Sequence, residues 1–137
     1  MHNILIADDD QVLSQSLSMR LRKAGYQTVV AFDAMQAVML AMKTPLAAIV
    51  LDLSMPAGSG LEVLRRLRAS NRTSMLPILV LTGSVDDHAA EQVLELGADA
   101  FFKKPFDFES LEGTLRRLID DNTVKPVGFM APRPVSR

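Results

Sequence analysis

A chain of 137 residues with 48% hydrophobic content can bury the core of one globular domain. Its formal net charge of -1 provides no broad positive field, so we expect no direct binding to nucleic acid or to a membrane surface. Because the chain has no cysteine and only 2 histidines, disulfides, thiolate metal sites and a zinc site are excluded, and any metal must be held by oxygen atoms.

The start of the chain carries no basic segment followed by a long apolar core, and no apolar run reaches membrane-spanning length. The sequence therefore predicts neither a signal peptide nor a membrane span. We expect a cytoplasmic protein.

Five short apolar runs recur at regular spacing, at residues 4–7, 28–31, 48–51, 78–81 and 100–102. Their hydrophobicity is continuous rather than alternating, which is typical of strands buried on both faces of a parallel sheet. Between the runs, apolar residues stand at helical spacing, as Leu13, Leu17 and Leu21 do. The pattern predicts a β-α unit repeated five times, and right-handed crossovers make this a doubly wound α/β sheet.

The character of the chain changes after about residue 122. Pro126, Pro132 and Pro134 follow one another there without a periodic apolar face. The sequence predicts one domain over residues 1–122 and a flexible, proline-containing tail or the start of a linker over residues 123–137.

Chemically active residues follow four of the five predicted strands. Asp8 and Asp9 follow the first strand, and Asp52 follows the third. Thr82 follows the fourth strand, and Lys104 lies just after the fifth. Because ligands of open α/β sheets bind outside the carboxyl ends of the strands, these side chains are expected to converge on one acidic pocket.

Such a pocket needs cations. Three carboxylates within a few ångströms repel one another by about 4 kcal/mol per pair at an effective dielectric constant of about 20. Lys104 offsets part of this repulsion, and Mg²⁺ suits the remainder because it prefers carboxylate and phosphate oxygens. A carboxylate can attack phosphorus to give an acyl phosphate, while a metal, a lysine and a threonine hydroxyl stabilise the phosphoryl oxygens.

Each of these residues also has an ordinary structural interpretation. A single aspartate at a strand end is more often a turn residue, and Asp10 is best interpreted as the N-cap of the first helix. The prediction of a site for a metal ion and a phosphoryl group therefore depends on the whole set, not on any one member.

The motifs around these residues resemble the response-regulator receiver family over residues 3 to about 120. The matching stretches are ILIADDD at 4–10, DLSMP at 52–56 with Gly60, LTG at 81–83, and GAD at 97–99 leading to KPF at 104–106. The resemblance implies a flavodoxin-like (βα)5 fold with a five-stranded parallel sheet in the order 2-1-3-4-5. It also implies a phosphorylation-controlled signalling module that catalyses only its own phosphorylation and dephosphorylation.

The resemblance assigns a role to each acidic residue of the set. Asp52 accepts the phosphoryl group from a phosphohistidine donor, and Lys104 pairs with that group. Asp8, Asp9, Asp52 and the backbone carbonyl of Ser54 organise Mg²⁺ directly or through water.

Two further residues are implied as switch residues. Thr82 supplies the hydroxyl that moves toward the phosphoryl group, and Phe101 is the aromatic residue that changes rotamer with it. Because Phe101 has no hydroxyl, an inward state must rest on packing alone, and a plain core role is also compatible.

The resemblance also implies partners. A sensor histidine kinase or a histidine phosphotransfer protein is expected to dock on the first helix and the fifth βα loop, with Leu13, Pro105 and Phe106 as contacts. Phosphorylation is expected to reshape the surface of the fourth helix, fifth strand and fifth helix, which then contacts a downstream protein, an output domain or a second copy.

The second predicted helix departs from the family pattern, which usually has polar residues on the outward face. Met35, Met39 and Met42 lie on one stripe of this helix. Such stripes usually fill gaps in a core. The alternative is an extra apolar contact patch for a partner or for homodimerisation, because flexible methionines suit adaptable surfaces.

The arginines around the third predicted helix are interpreted as a solvated basic face. They are Arg65, Arg66, Arg68 and Arg72.

Two other functions remain open. One is a metal-dependent phosphohydrolase, but such enzymes commonly need a second acid two residues after the nucleophile, where this chain has Ser54. The other keeps the fold and makes residues 1–122 the N-terminal receiver of a longer transcription factor or enzyme. Residues 123–137 are too few for a folded output domain, so output depends on a partner or on sequence outside this chain.

Overall fold

The computed structural model describes residues 2–55, 60–83 and 87–124. Strands and helices alternate along them as β1 (Asn3–Ala7), α1 (Gln11–Lys23), β2 (Gln27–Ala31), α2 (Ala34–Lys43), β3 (Ala48–Asp52), α3 (Gly60–Ala69), β4 (Ile78–Thr82), α4 (Asp87–Glu95), β5 (Ala100–Lys103) and α5 (Phe108–Val124). All five predicted strands are confirmed to within one residue at each end. Residues 123 and 124, which were predicted to begin the tail, instead belong to α5, and residues 125–137 of the predicted tail lie outside the described residues.

The strands form one parallel sheet in the order β2-β1-β3-β4-β5, which confirms the predicted topology. The register aligns Asp52 with Leu81 and Thr82 with Lys103. The carboxyl ends of β3, β4 and β5 therefore lie side by side at one edge of the sheet, where the chemically active residues were predicted to meet.

Helices cover both faces of the sheet, so that successive strand residues enter two separate cores. Leu5 and Leu51 pack in the cluster beneath α2, α3 and α4. Ile6 and Leu81 pack in the cluster beneath α1 and α5. Burial on both faces explains the continuous apolar runs of the sequence. Within the described part of the chain, no helix is both long enough and apolar enough to cross a bilayer.

Capping residues define the ends of several helices. Asp10 is the N-cap of α1, as predicted, and its carboxylate accepts a hydrogen bond of 3.1 Å from the Leu13 amide. Asp33 caps α2 in the same way. Gly25 and Gly97, which follow α1 and α4, have φ angles of 104° and 109°, a conformation that favours glycine at helix ends.

The methionine stripe of α2 divides between core and surface. Met42 is partly buried and packs against the cluster beneath α2, α3 and α4. Met35 and Met39 are 72% and 46% exposed. The core interpretation is therefore confirmed for Met42 and wrong for the other two.

The Arg68 side chain is largely buried, although its sequence context predicted a solvated position. Its guanidinium lies 2.9 Å from the Asp99 carboxylate, and the two side chains are only 12% and 16% exposed. Asp99 also accepts a hydrogen bond of 2.9 Å from the Ile78 amide. The remaining N–H groups of Arg68 donate to four backbone carbonyls, those of Thr73, Ser74, Leu76 and Gly97. The prediction of a solvated face is wrong for this residue, which fastens the end of α3 to the segments that precede β4 and β5.

Replacing Arg68 by methionine removes the guanidinium from a partly buried carboxylate. We expect Arg68→Met to lower the free energy of unfolding by about 3 kcal/mol. Arg66→Met is the matched control, because Arg66 is exposed on the same helix, and its effect is expected to stay within about 0.5 kcal/mol. Urea denaturation measures both, and a loss below about 1 kcal/mol for Arg68→Met would show that this ion pair behaves as a solvated one.

Candidate functional site

Three carboxylates meet at the carboxyl edge of the sheet. Asp8 and Asp9 follow β1, and Asp52 is the last residue of β3. One oxygen atom from each of them lies within 4.8 Å of the others. Asp8 and Asp52 are each only 1% exposed, whereas Asp9 faces solvent. The predicted convergence of these residues is what the structure shows.

Lys104 brings a positive charge to the two buried carboxylates. Its Nζ lies 3.0 Å from Asp8 Oδ2 and 3.5 Å from Asp52 Oδ2. Its backbone amide donates to the Thr82 carbonyl at 2.8 Å, which extends the pairing of β4 and β5 and positions the side chain. The peptide bond to Pro105 is cis. Burial disfavours the ammonium, but the hydrogen bond to Asp8 and the charges of Asp52 and Asp8 outweigh that cost and raise the pKa of Lys104.

Asp8 is held in place from several sides. Its carboxylate accepts a hydrogen bond of 3.0 Å from the Asp10 amide, and its backbone carbonyl accepts one of 3.0 Å from the buried Ser14 hydroxyl. Burial raises the pKa of Asp8, the Asp52 charge raises it further, and the hydrogen bonds from Asp10 and Lys104 oppose this without cancelling it. The charged form of Asp8 is therefore maintained at a cost.

The Ser54 side chain also reaches Asp52, which sequence reasoning missed. Its hydroxyl lies 3.2 and 3.3 Å from the two carboxylate oxygens, and its amide donates to one of them at 3.4 Å. For the metal site, only the carbonyl of Ser54 was predicted as a ligand. Gly60 closes the same loop, and a β-carbon at this position would meet the Asp52 carbonyl at 2.9 Å, so the backbone here has no room for a side chain.

The two predicted switch residues are both buried, but they lie in different surroundings. Thr82 is 3% exposed at the end of β4, one residue beyond the partner of Asp52 in the sheet. Phe101 is 5% exposed and packs in the cluster beneath α2, α3 and α4, opposite Val80 in the register. Thr82 therefore belongs to the edge of the acidic pocket, whereas Phe101 is part of the core behind it.

The chemistry of the donors suits a hard divalent cation. The three clustered residues offer only carboxylate oxygens, which Mg²⁺ prefers. The exposed carboxylate of Asp9 leaves one side open to water, and Mg²⁺ usually retains several water ligands. The raised pKa of Asp8 also indicates that added positive charge would be favourable.

Comparisons with known proteins agree with this geometry. The sequence profile described as the response regulator receiver domain matches residues 4–116. The chain is 38% identical over 121 residues to the DNA-binding dual master transcriptional regulator RpaA of Synechocystis, a match that covers 87% of this chain and 49% of that protein. The chain spans about half the length of the curated relatives it matches.

Two solved structures are similar in fold and carry ions. The receiver domain of the sensor histidine kinase PA1611 from Pseudomonas aeruginosa is 29% identical with a TM-score of 0.80, covering 87% of this chain and 98% of that one. It has a magnesium ion coordinated in its active site cleft. A response regulator from Burkholderia pseudomallei is 29% identical with a TM-score of 0.78, covering 90% of this chain and 71% of that one. It carries a phosphorylated aspartic acid and a calcium ion.

The raised pKa of Asp8 predicts that its charge destabilises the fold in metal-free buffer. When folding raises the pKa of a carboxyl group, ionisation of that group lowers the free energy of unfolding at pH values above the raised pKa. Below the pKa of the unfolded chain, the group is protonated in both states and has no such effect. We expect Asp8→Asn to be more stable than the natural chain near neutral pH, and the difference to disappear as the pH falls through the raised pKa.

Thermal denaturation in the presence of a chelator, repeated across pH, measures this difference. Asp10→Asn is the control, because it removes a charge from the same triplet but keeps a good N-cap, and its effect is expected to stay within about 0.5 kcal/mol. A natural chain more stable than Asp8→Asn at neutral pH would show that pairing with Lys104 outweighs burial.

Proposed function

Since this chain belongs to the response-regulator receiver family, whose profile matches residues 4–116, we propose that Asp52 is its phosphoryl acceptor and that a phosphohistidine is the donor. As a receiver domain of a response regulator, the chain acts in two-component signalling. One observation carries the proposal: the buried Asp52 carboxylate lies at the end of β3 beside the Lys104 ammonium and two further carboxylates.

The residues supply the parts of a phosphoryl transfer. An Asp52 oxygen forms a bond to phosphorus while the phosphorus–nitrogen bond of the donor breaks, and the electron pair of that bond returns to the imidazole. Lys104, 3.5 Å from Asp52, places its charge against the phosphoryl oxygens. The hydroxyl of Ser54 is no second acid, which argues against the phosphohydrolase alternative.

We assign Mg²⁺ to Asp8, Asp9 and Asp52, with the Ser54 carbonyl as a further ligand. The oxygen-only donor set and the 4.8 Å cluster support this assignment. When bound, the ion supplies positive charge to the carboxylates and to the phosphoryl oxygens. The magnesium ion in the active site cleft of the PA1611 receiver is consistent with the assignment.

We further propose that Thr82 and Phe101 convert phosphorylation into a change of shape. A phosphoryl group on Asp52 would attract the Thr82 hydroxyl, which belongs to the next strand of the sheet. Phe101 shares its packing cluster with Val93 of α4, so a shift at the end of β4 can be passed to α4 through this packing. The response would then appear on the surface formed by α4, β5 and α5.

The predicted docking residues support a histidine kinase or phosphotransfer protein as donor. Leu13, Pro105 and Phe106 line one cavity of about 400 Å³ that Lys104 also borders. A donor helix seated there would bring its phosphohistidine close to Asp52. Because RpaA is a DNA-binding regulator about twice as long as the matched region, we propose that an output domain or a separate partner protein responds to this switch.

Intact-protein mass spectrometry after incubation with Mg²⁺ and a small acyl phosphate tests the acceptor. We expect the natural chain to gain a single phosphoryl group and Asp52→Asn to gain none. Asp107→Asn, a change at the exposed cap of α5, should label like the natural chain, and chelation of Mg²⁺ should abolish labelling. Equal labelling of the natural chain and Asp52→Asn would place the nucleophile elsewhere.

A comparison with the neighbouring residue Lys103 separates the contribution of Lys104 from a general effect of lost positive charge. Lys104→Met is expected to slow phosphoryl uptake at least about tenfold, because it removes a positive charge aimed at the developing phosphoryl charge. Lys103→Met removes the same charge from an exposed side chain and is expected to change the rate less than about twofold. Equal rates for the two variants, measured by time-resolved mass spectrometry, would contradict the role of Lys104.

A further inference from the structure

The outward face of α2 is an apolar surface that the phosphorylation site does not use. Met35 and Met39, which are 72% and 46% exposed, lie about 40° apart around the helix axis because they are four residues apart. The opposite face of α2 packs in the core through Ala34, Ala37 and Ala41. We call the surface around Met35 and Met39 the α2 methionine face. Exposed flexible apolar side chains of this kind are typical of contact surfaces.

Charges stand only at the two ends of α2, and they have opposite signs. Asp33 is the N-cap, and Lys43 is exposed in the last turn. The intervening residues 34–42 are all uncharged. Two such helices in parallel would place like charges together, whereas two antiparallel helices would place Lys43 of each beside Asp33 of the other.

We propose that the α2 methionine face binds the same face of a second copy of this chain, with the two α2 helices antiparallel about a two-fold axis. In this arrangement Met35 of each copy lies opposite Met39 of the other. Lys43 then falls about 3 Å along the axis from Asp33 of the second copy, since each helical residue advances by about 1.5 Å. This offset is within reach of a lysine side chain.

The charge pattern favours a second copy over an unrelated partner. Two-fold symmetry supplies both Lys43–Asp33 pairs and both methionine contacts from one surface, and no additional sequence is needed. Two ten-residue helices bury less than the roughly 1,200 Å² below which interfaces are weak or transient, so the association is reversible. The inference is independent of the proposed phosphorylation.

The α2 methionine face also lies away from the proposed output surface. α2 contacts β1 and β2, and β2 is one edge of the sheet, whereas β5 is the other edge. Pairing through α2 therefore leaves the α4-β5-α5 surface accessible. A dimer of this kind raises the local concentration of receivers without occupying the surface that changes on phosphorylation.

Sedimentation equilibrium over a series of concentrations tests the proposal on the full chain. We expect reversible dimerisation of the natural chain, weakened at least about tenfold by Met39→Lys. Met19→Lys is the matched control: Met19 is 58% exposed on α1, which covers the other face of the sheet, and this variant should dimerise like the natural chain. A natural chain that is monomeric throughout, or equal dimerisation by Met39→Lys, would overturn the proposal.

A double-mutant cycle on Lys43 and Asp33 tests the antiparallel orientation of the two helices. Lys43→Glu places two acidic groups together and should weaken dimerisation, whereas adding Asp33→Asn keeps an N-cap acceptor and should restore part of the loss. Strictly additive effects of the two changes would exclude the contact between these residues.

Disulfide trapping tests the same interface without requiring that the Met39→Lys variant folds. The chain has no cysteine, so single substitutions are clean probes. A mixture of Met35→Cys and Met39→Cys chains should cross-link faster than either variant does with itself, and Met19→Cys should cross-link slowest. No excess over Met19→Cys would contradict the interface.

Discussion

The site depends on two carboxyl groups being held close together where water hardly reaches them. Asp8 and Asp52 are both almost fully buried, and the Lys104 ammonium lies between them. Burial nevertheless raises the pKa of Asp8, so the negative charge is not fully compensated by the described protein groups. A cation bound in this pocket would offset the cost of burying that charge.

The rest of the fold holds this pocket in place. The parallel register brings the ends of β3, β4 and β5 to one edge, and the Ser14 hydroxyl fastens the turn after β1. At the opposite end of the sheet, Arg68 joins the segments that lead into β4 and β5. The four strands that end at the site, β1, β3, β4 and β5, are almost completely buried, so their ends have little freedom to separate and relieve the repulsion. Ligand binding and conformational change are therefore left to the loops and to the helix surfaces.

Most of the fold and of the acidic site could be predicted because they depend on local patterns. Buried parallel strands leave continuous apolar runs, and the residues after those runs must meet at one edge. Periodicity could not decide whether Met35 faces inward, because eight of the ten residues of α2 are apolar and its alanines already occupy the core face. The bonds of Ser54 to Asp52 and of Arg68 to distant carbonyls depend on loop conformation, which no sequence period records.

The claim that these strand-end carboxylates form a divalent-cation site can be tested by crystallography. Crystals of the chain grown with Mn²⁺, a redox-stable and anomalously scattering substitute for Mg²⁺, would reveal the ion directly. We predict an anomalous difference peak bounded by the carboxylates of Asp8, Asp9 and Asp52. A fully occupied peak elsewhere, or no peak in this pocket at saturating Mn²⁺, would contradict the account.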